Sequence, residues 1–116
     1  MTIKIYGIKN CDTMKKAFNW LNEQGIQYEF HDYKKEGLSQ SLVESWLKQL
    51  PPEELINKRG TTWRKLDDEV KNNLNKTTAK KIAVEHTSAI KRPLLDVDGQ
   101  FYLGFKPELY AGIFNE

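Results

Sequence analysis

"KIYGIKNCDTMKKAF", residues 4–18, changes its hydrophobic period part-way along and carries the only cysteine of the chain, Cys11, at the change. Upstream, Thr2–Tyr6 alternates, with Ile3 and Ile5 on one side, the period of a strand covered on one face. Gly7–Asn10 reads as a turn. From Asp12 onward Met14, Ala17, Phe18 and Leu21 recur at the spacing of one helix face. Gly25 supplies the stop that a helix commonly takes just past its last turn. "IQYEFHDY", Ile26–Tyr33, reads as a second strand through its aromatic residues. Residues 1–33 are therefore expected to form β-α-β. A helical crossover of this kind joins parallel strands of one sheet.

Beyond Gly37 the signals are helical. Ser39 can cap a helix whose apolar face is Leu42, Val43, Trp46, Leu47 and Leu50. Pro51 and Pro52 end it, and Pro52 suits the first turn of a short helix toward Ile56. "NKRGTTWRKL", residues 57–66, reads as a polar loop anchored by Trp63. Asp67–Leu74 and Thr78–His86 are two further short helices, the second with Ile82, Ala83 and His86 on one face. In "IKRPLLDVDGQFYLGF", residues 90–105, Asp98-Gly99 between two apolar runs is a strong two-residue hairpin signal. Lys106–Phe114 closes the chain as a helix. The expected fold is α/β, a thioredoxin-like core (β-α-β … β-β-α) with a helical insertion at 37–88 between its halves.

With 116 residues, 39% of them hydrophobic, the chain fits one globular domain over 1–116. The net charge of +2 arises from basic residues scattered among acidic ones, so direct nucleic-acid binding is not expected. No apolar run is long enough to span a membrane, and the first ten residues lack a secretory signal, so a cytoplasmic protein is expected. One cysteine forms no internal disulfide. His31 and His86 stand in no ligand spacing with Cys11, and no metal site is expected.

A lone cysteine is often an inert, buried apolar side chain. At the start of a helix it meets unpaired N–H groups and the positive end of the helix dipole, which favour thiolate. Lys15 and Lys16 add nearby positive charge and Asp12 opposes it. On that reading the Cys11 pKa falls below the free value of ~8.5. Met14 occupies the place of a second thiol in a Cys-x-x-Cys pair, so a second sulfur must come from outside. Arg92-Pro93 precedes the expected third strand, where the proline is expected cis and Arg92 either faces the thiol or lies on the surface. Lys58, Arg59, Arg64 and Lys65 surround Gly60 in a loop that either holds an anion or is simply solvated.

"YGIKNCDTMKKA", "NKRGTTWRKL", "IKRPLL" and "LGFKPELY", in this order, resemble the motifs of the family of glutaredoxin-dependent arsenate reductases (ArsC) and Spx regulators, and within it the YffB-like branch. The resemblance covers essentially the whole chain. It implies a thioredoxin-like core with a helical insertion. The family's arsenate reductases use a cysteine nucleophile, three arginines, and glutathione with glutaredoxin to regenerate the thiol. Cys11 matches the nucleophile and Arg92 the second arginine. In an ungapped comparison the first arginine falls at Asn57, with Arg59 two residues on, and the third at Lys106. Spx regulators bind RNA polymerase and sense oxidants through Cys-x-x-Cys, which Met14 removes here. The YffB-like branch keeps one cysteine, "RGTTWRKL" and "KRPLL", and a glutathione-dependent thiol reductase role is proposed for it.

The resemblance and the residues together imply a cytoplasmic thiol oxidoreductase. Cys11 and Arg92 are its expected catalytic residues, with Asn10, Arg59, Arg64, Pro93 and Lys106 as substrate-binding candidates. No bound cofactor is expected. Glutathione is the expected thiol co-substrate, glutathione or glutaredoxin the expected partner, and a protein thiol or an oxyanion the substrate. Arsenate reduction and a non-enzymatic, RNA polymerase-binding role of the Spx type are the alternatives.

Overall fold

Ile3 and Ile5 leave the backbone on the same face of their strand, and the helix that follows lays Met14, Ala17 and Leu21 onto that face. The computed structural model describes residues 2–114. In chain order the elements are β1 (Ile3–Gly7), α1 (Asp12–Glu23), β2 (Glu29–Asp32), α2 (Tyr33–Glu36) and α3 (Gln40–Leu47). Then come α4 (Pro52–Leu55), α5 (Thr61–Arg64), α6 (Asp68–Asn72), α7 (Lys76–Glu85) and a 3-10 turn at Thr87–Ala89. β3 (Leu94–Val97), β4 (Gln100–Leu103) and α8 (Pro107–Phe114) complete the chain. Two units result, one built from the residues up to Asp32 and from Arg92 onward, the other from Tyr33–Lys91.

The first unit is a four-stranded sheet in the order β2-β1-β3-β4. β1 runs parallel to β2 and antiparallel to β3, which pairs antiparallel with β4. This is the thioredoxin-like arrangement. The β3–β4 turn falls on Asp98 and Gly99, both at positive φ (50° and 90°), as a two-residue hairpin needs to match strand twist. Asp98 Oδ1 accepts from the Thr2 amide at 2.6 Å, fastening the turn to the start of β1. The α1 terminus is a Schellman motif. Gly25 sits at φ 69°, its amide donates to Asn22 O (3.1 Å), and the Ile26 amide donates to Leu21 O (3.0 Å).

Ile3, Ile5 and Leu95 from the sheet, Met14, Ala17 and Leu21 from α1 and Tyr110 from α8 form the core. Each large apolar side chain so buried contributes about 1.5–3 kcal/mol. Tyr110 is boxed by aromatic edges, with Phe105 at 4.7 Å and Trp20 at 5.6 Å between ring centroids. Its hydroxyl is buried and has no hydrogen-bond partner among the described residues. Burial pushes the Tyr110 pKa far up. Gly7 has no room for a side chain, because a Cβ there would collide with Sδ and Cε of Met14.

In the second unit α3 packs along α7. Ser39 Oγ accepts from the Leu42 amide (3.2 Å), and Val43, Trp46 and Leu47 are buried. Asn75 and Thr78 form a reciprocal capping box at the start of α7. Lys80 Nζ meets Glu44 Oε1 at 2.8 Å between the two helices. Ile56 bridges Ile90, the Asn57 amide donates to Ala89 O (2.7 Å), and the Lys91 amide donates to Leu55 O (2.8 Å).

Several boundaries differ from the sequence expectation. The second strand is only Glu29–Asp32, because β1 ends at Gly7 opposite Asp32, and Tyr33 opens α2 instead. The polar loop at 57–66 contains a helical turn, α5, with Trp63 buried beneath it. α7 begins at Lys76, since Thr78 is the third residue of a cap set by Asn75. His86 lies past the end of α7 and is exposed, off the Ile82–Ala83 face. Among the described residues no helix is long and apolar enough to cross a membrane.

Two substitutions test this packing by chemical denaturation. Tyr110→Phe removes an unpaired buried hydroxyl and leaves the unfolding free energy unchanged or higher. Gly7→Ala forces Met14 from its place and costs about 1–3 kcal/mol.

Candidate functional site

Strand register decides which residues meet. Tyr6 pairs with Leu94, so the end of β1 and the start of β3 lie side by side. Cys11 follows β1 after a short bend, and Arg92 immediately precedes the β3 entry. Leu94 also pairs with Leu103, which brings the end of β4, and Lys106 beyond it, to the same end of the sheet. The Gly104 amide donates to Pro93 O at 2.9 Å, tying the β4 exit to the β3 entry. The Arg92–Pro93 bond is cis, and Pro93 is buried.

Cys11 is the N-cap of α1. Its backbone is extended (φ −138°, ψ 129°), and its carbonyl accepts the first helical bond, from the Lys15 amide at 3.0 Å. The half-buried sulfur does not complete the short capping bond that a serine oxygen would make. The Met14 and Thr13 amides and the Arg92 guanidinium nevertheless act on it as donors that favour the thiolate.

These influences compete. Burial is the largest single one, and it opposes the thiolate. The Met14 amide, the Arg92 hydrogen bond, the Thr13 amide and the Arg92 charge together outweigh it, and the Cys11 pKa lies below the ordinary thiol value. The direction and the part played by the helix amides are as expected, and only the side-chain charge has a different origin. Lys15 and Lys16 point into solvent, and the positive charge that acts is Arg92. The two amides are donors that side-chain identity alone does not reveal. The signal for them in the sequence is the extended-to-helical switch at Cys11.

The other candidates separate by unit. Asn10 is an exposed bend residue next to Cys11, and Lys106 is exposed, its carbonyl accepting from the Tyr110 amide (3.1 Å) at the start of α8. Arg59 and Arg64 belong to the unit Tyr33–Lys91 and are exposed there. The Arg59 amide donates to Asn57 Oδ1 (3.2 Å), and Arg64 O accepts from Lys71 Nζ (2.8 Å). Lys58 Nζ stands 5.8 Å above the Trp63 ring. Met14, at the position of a second thiol, is fully buried under Gly7. Among the described residues no group of three His, Cys, Asp or Glu side chains is placed to hold a metal ion.

The arrangement makes Arg92 the side chain that sets the Cys11 titration. Followed by the ultraviolet absorbance of the thiolate, the midpoint rises in Arg92→Met and stays in place in Lys15→Gln. Stability follows the same sign. A pKa lower in the folded chain than in the unfolded one adds stability that is fully present above the unfolded value of ~8.5 and is lost as pH falls through the folded value. The unfolding free energy of the wild type relative to Cys11→Ser therefore grows with pH across that window.

Known proteins resemble this chain over nearly its whole length. An uncharacterized protein of Haemophilus influenzae is 45% identical over 112 residues, which cover 97% of this chain and 98% of that one. The solved structure of a protein named YFFB is 42% identical, with a TM-score of 0.91 over 96% of this chain and 97% of that one. The solution structure of an arsenate reductase (ArsC) related protein from Brucella melitensis is 48% identical, with a TM-score of 0.80 over 100% of this chain and 97% of that one. The model of the ArsC family matches residues 6–113, from β1 through the Cys11 turn and the β3 entry into α8, and the chain belongs to that family.

Proposed function

We propose that the protein is a thiol-based oxidoreductase of the arsenate-reductase-like kind, with Cys11 as its nucleophile. One observation carries the reading: a guanidinium and two helix amides converge on the sulfur of the only cysteine in the chain. Such a convergence favours the thiolate, which is the nucleophilic form of cysteine.

In the cycle we propose, the Cys11 thiolate attacks one sulfur of a disulfide. A Cys11–sulfur bond forms, the substrate's S–S bond breaks, and the second sulfur leaves as a thiolate. A glutathione thiolate, free or delivered through glutaredoxin, then attacks the adduct and regenerates Cys11. The electrons come from glutathione, and a reducing compartment such as the cytoplasm supplies it. Arg92 offsets negative charge at the reacting sulfur and on an anionic substrate. Asn10, Pro93 and Lys106 would line the sheet end around the sulfur.

Arsenate is the second substrate reading. The Brucella melitensis relative is described as arsenate reductase related, and Arg92 beside the sulfur suits a tetrahedral oxyanion. Lysine at position 106 offers a point charge where arginine would offer a two-donor fork.

Glutathione-coupled reduction of a small disulfide, followed as NADPH consumption with glutathione reductase, tests the first reading. Cys11→Ser is expected to fall to the uncatalysed rate. Arg92→Lys is expected to lose about tenfold or more, since a hydrogen bond to a charged group is worth ~1.5–3 kcal/mol. Full activity in Cys11→Ser would overturn the proposal. Replacing the disulfide by arsenate, with glutaredoxin added, tests the second.

A further inference from the structure

We propose that Asp98–Gly99 is a site of covalent modification, where the chain closes to a succinimide and reopens as isoaspartate, and that the Asp96 side chain is the latch that restrains it.

The β3–β4 turn brings the reacting groups within one rotation of each other. Asp98 and Gly99 are exposed and lie at φ 50° and 90°. Asp98 is the one non-glycine at positive φ among the described residues. Two positive values make this a type I′ turn. Type II′ keeps the positive φ at the first position and differs by a rotation of the central peptide. Both types join the same two strands, so the hairpin need not open. Rotation of the Asp98–Gly99 peptide swings the Gly99 nitrogen toward the Asp98 side chain, the direction in which a five-membered ring closes. Gly99 has no side chain to shield that nitrogen, and the space where a Cβ would stand is open.

Two hydrogen bonds oppose the rotation. The Gly99 amide donates to Asp96 Oδ1 at 2.8 Å, which holds the peptide in its unreactive orientation. The Asp98 carboxylate is fastened as well, its Oδ1 accepting from the Thr2 amide at 2.6 Å. Asp96 stands in β3, where its backbone is fixed by pairing with Lys4 on one side and Phe101 on the other. Its carboxylate therefore reaches the turn from a rigid base. Ring closure breaks the Gly99–Asp96 bond outright.

The chemistry balances with water alone. The Gly99 nitrogen attacks Cγ of the protonated Asp98 carboxyl. The N–Cγ bond forms, and the amide proton and the carboxyl hydroxyl leave together as water. Water then opens the ring. Attack at Cγ breaks the N–Cγ bond and restores aspartate. Attack at the Asp98 main-chain carbonyl breaks the original peptide bond and leaves the chain running through Cγ. That product carries one more backbone carbon in a two-residue loop and a free α-carboxylate, the group that an isoaspartyl carboxyl methyltransferase accepts.

The experiment incubates the full-length protein at neutral pH and physiological temperature in heavy-oxygen water. It reads isoaspartate at residue 98 by methyl transfer with a purified isoaspartyl methyltransferase, and the heavy oxygen gained by the peptide that contains Asp98. Wild type is expected to react slowly. Asp96→Ala is expected to react about tenfold faster or more, as for one lost hydrogen bond to a charged group. Asp96→Asn keeps an oxygen that accepts from Gly99 and is expected to stay near the wild-type rate. Gly7→Ala lowers stability at the other end of β1 and is expected to leave the rate unchanged. Equal rates in wild type and Asp96→Ala, or equal acceleration in Asp96→Asn or Gly7→Ala, would overturn the latch. No isoaspartate in Asp96→Ala, while the same chain unfolded in urea accumulates it, would overturn the modification site.

Discussion

Pairing between Tyr6 and Leu94, where β1 and β3 run antiparallel, sets two segments far apart in sequence at one end of a sheet. One carries Cys11 into the first turn of α1, and the other carries Arg92 into β3. Other features of the site follow from that register. Pairing of Leu94 with Leu103 extends it to the β4 exit, and the Gly104–Pro93 hydrogen bond holds the two loops together. A slip of one residue would turn the isoleucines of β1 away from α1 and carry Arg92 off the sulfur. The core made by Ile3, Ile5, Met14, Ala17, Leu21 and Leu95 therefore acts on the chemistry indirectly, by fixing register.

The electrostatics of Cys11 is a contest that burial alone would lose for the thiolate. A half-buried sulfur resists charge, and two amides and a guanidinium reverse the outcome. The backbone supplies part of this through the free N–H groups at a helix start, a property of any helix. Arg92 supplies the part specific to this chain, and it does so as the residue before a buried proline at a strand entry. With Met14 packed against Gly7 in place of a second thiol, an adduct formed on Cys11 would meet no second cysteine in the chain to release it. That is why an external thiol enters every cycle proposed for it.

Periodicity and turn chemistry made much of the fold readable from the residues. Met14, Ala17 and Leu21 share a face in the sequence and in the core, Asp98-Gly99 forms the hairpin turn, and Gly25 ends α1 in a Schellman motif. What the residues did not reveal was set by tertiary partners. β2 stops where β1 stops, which no propensity of Tyr33 encodes. The Asn75–Thr78 cap moved the start of α7, because a reciprocal pair is hard to see among many polar neighbours. Lys15 and Lys16 are near Cys11 in sequence but face water, whereas Arg92 reaches the sulfur through strand pairing. Local sequence thus singled out Cys11, and long-range pairing supplied its charge partner.

The most direct test of this account is the rate of Cys11 alkylation by iodoacetamide as a function of pH, on the wild-type protein. There is no competing thiol, so the profile reports one group. The account predicts a single titration with a midpoint clearly below the free-thiol value of ~8.5. A midpoint at or above that value, with labelling slower than a free thiol, would mean that burial wins and that the convergence of Arg92 and the α1 amides on the sulfur does not activate it.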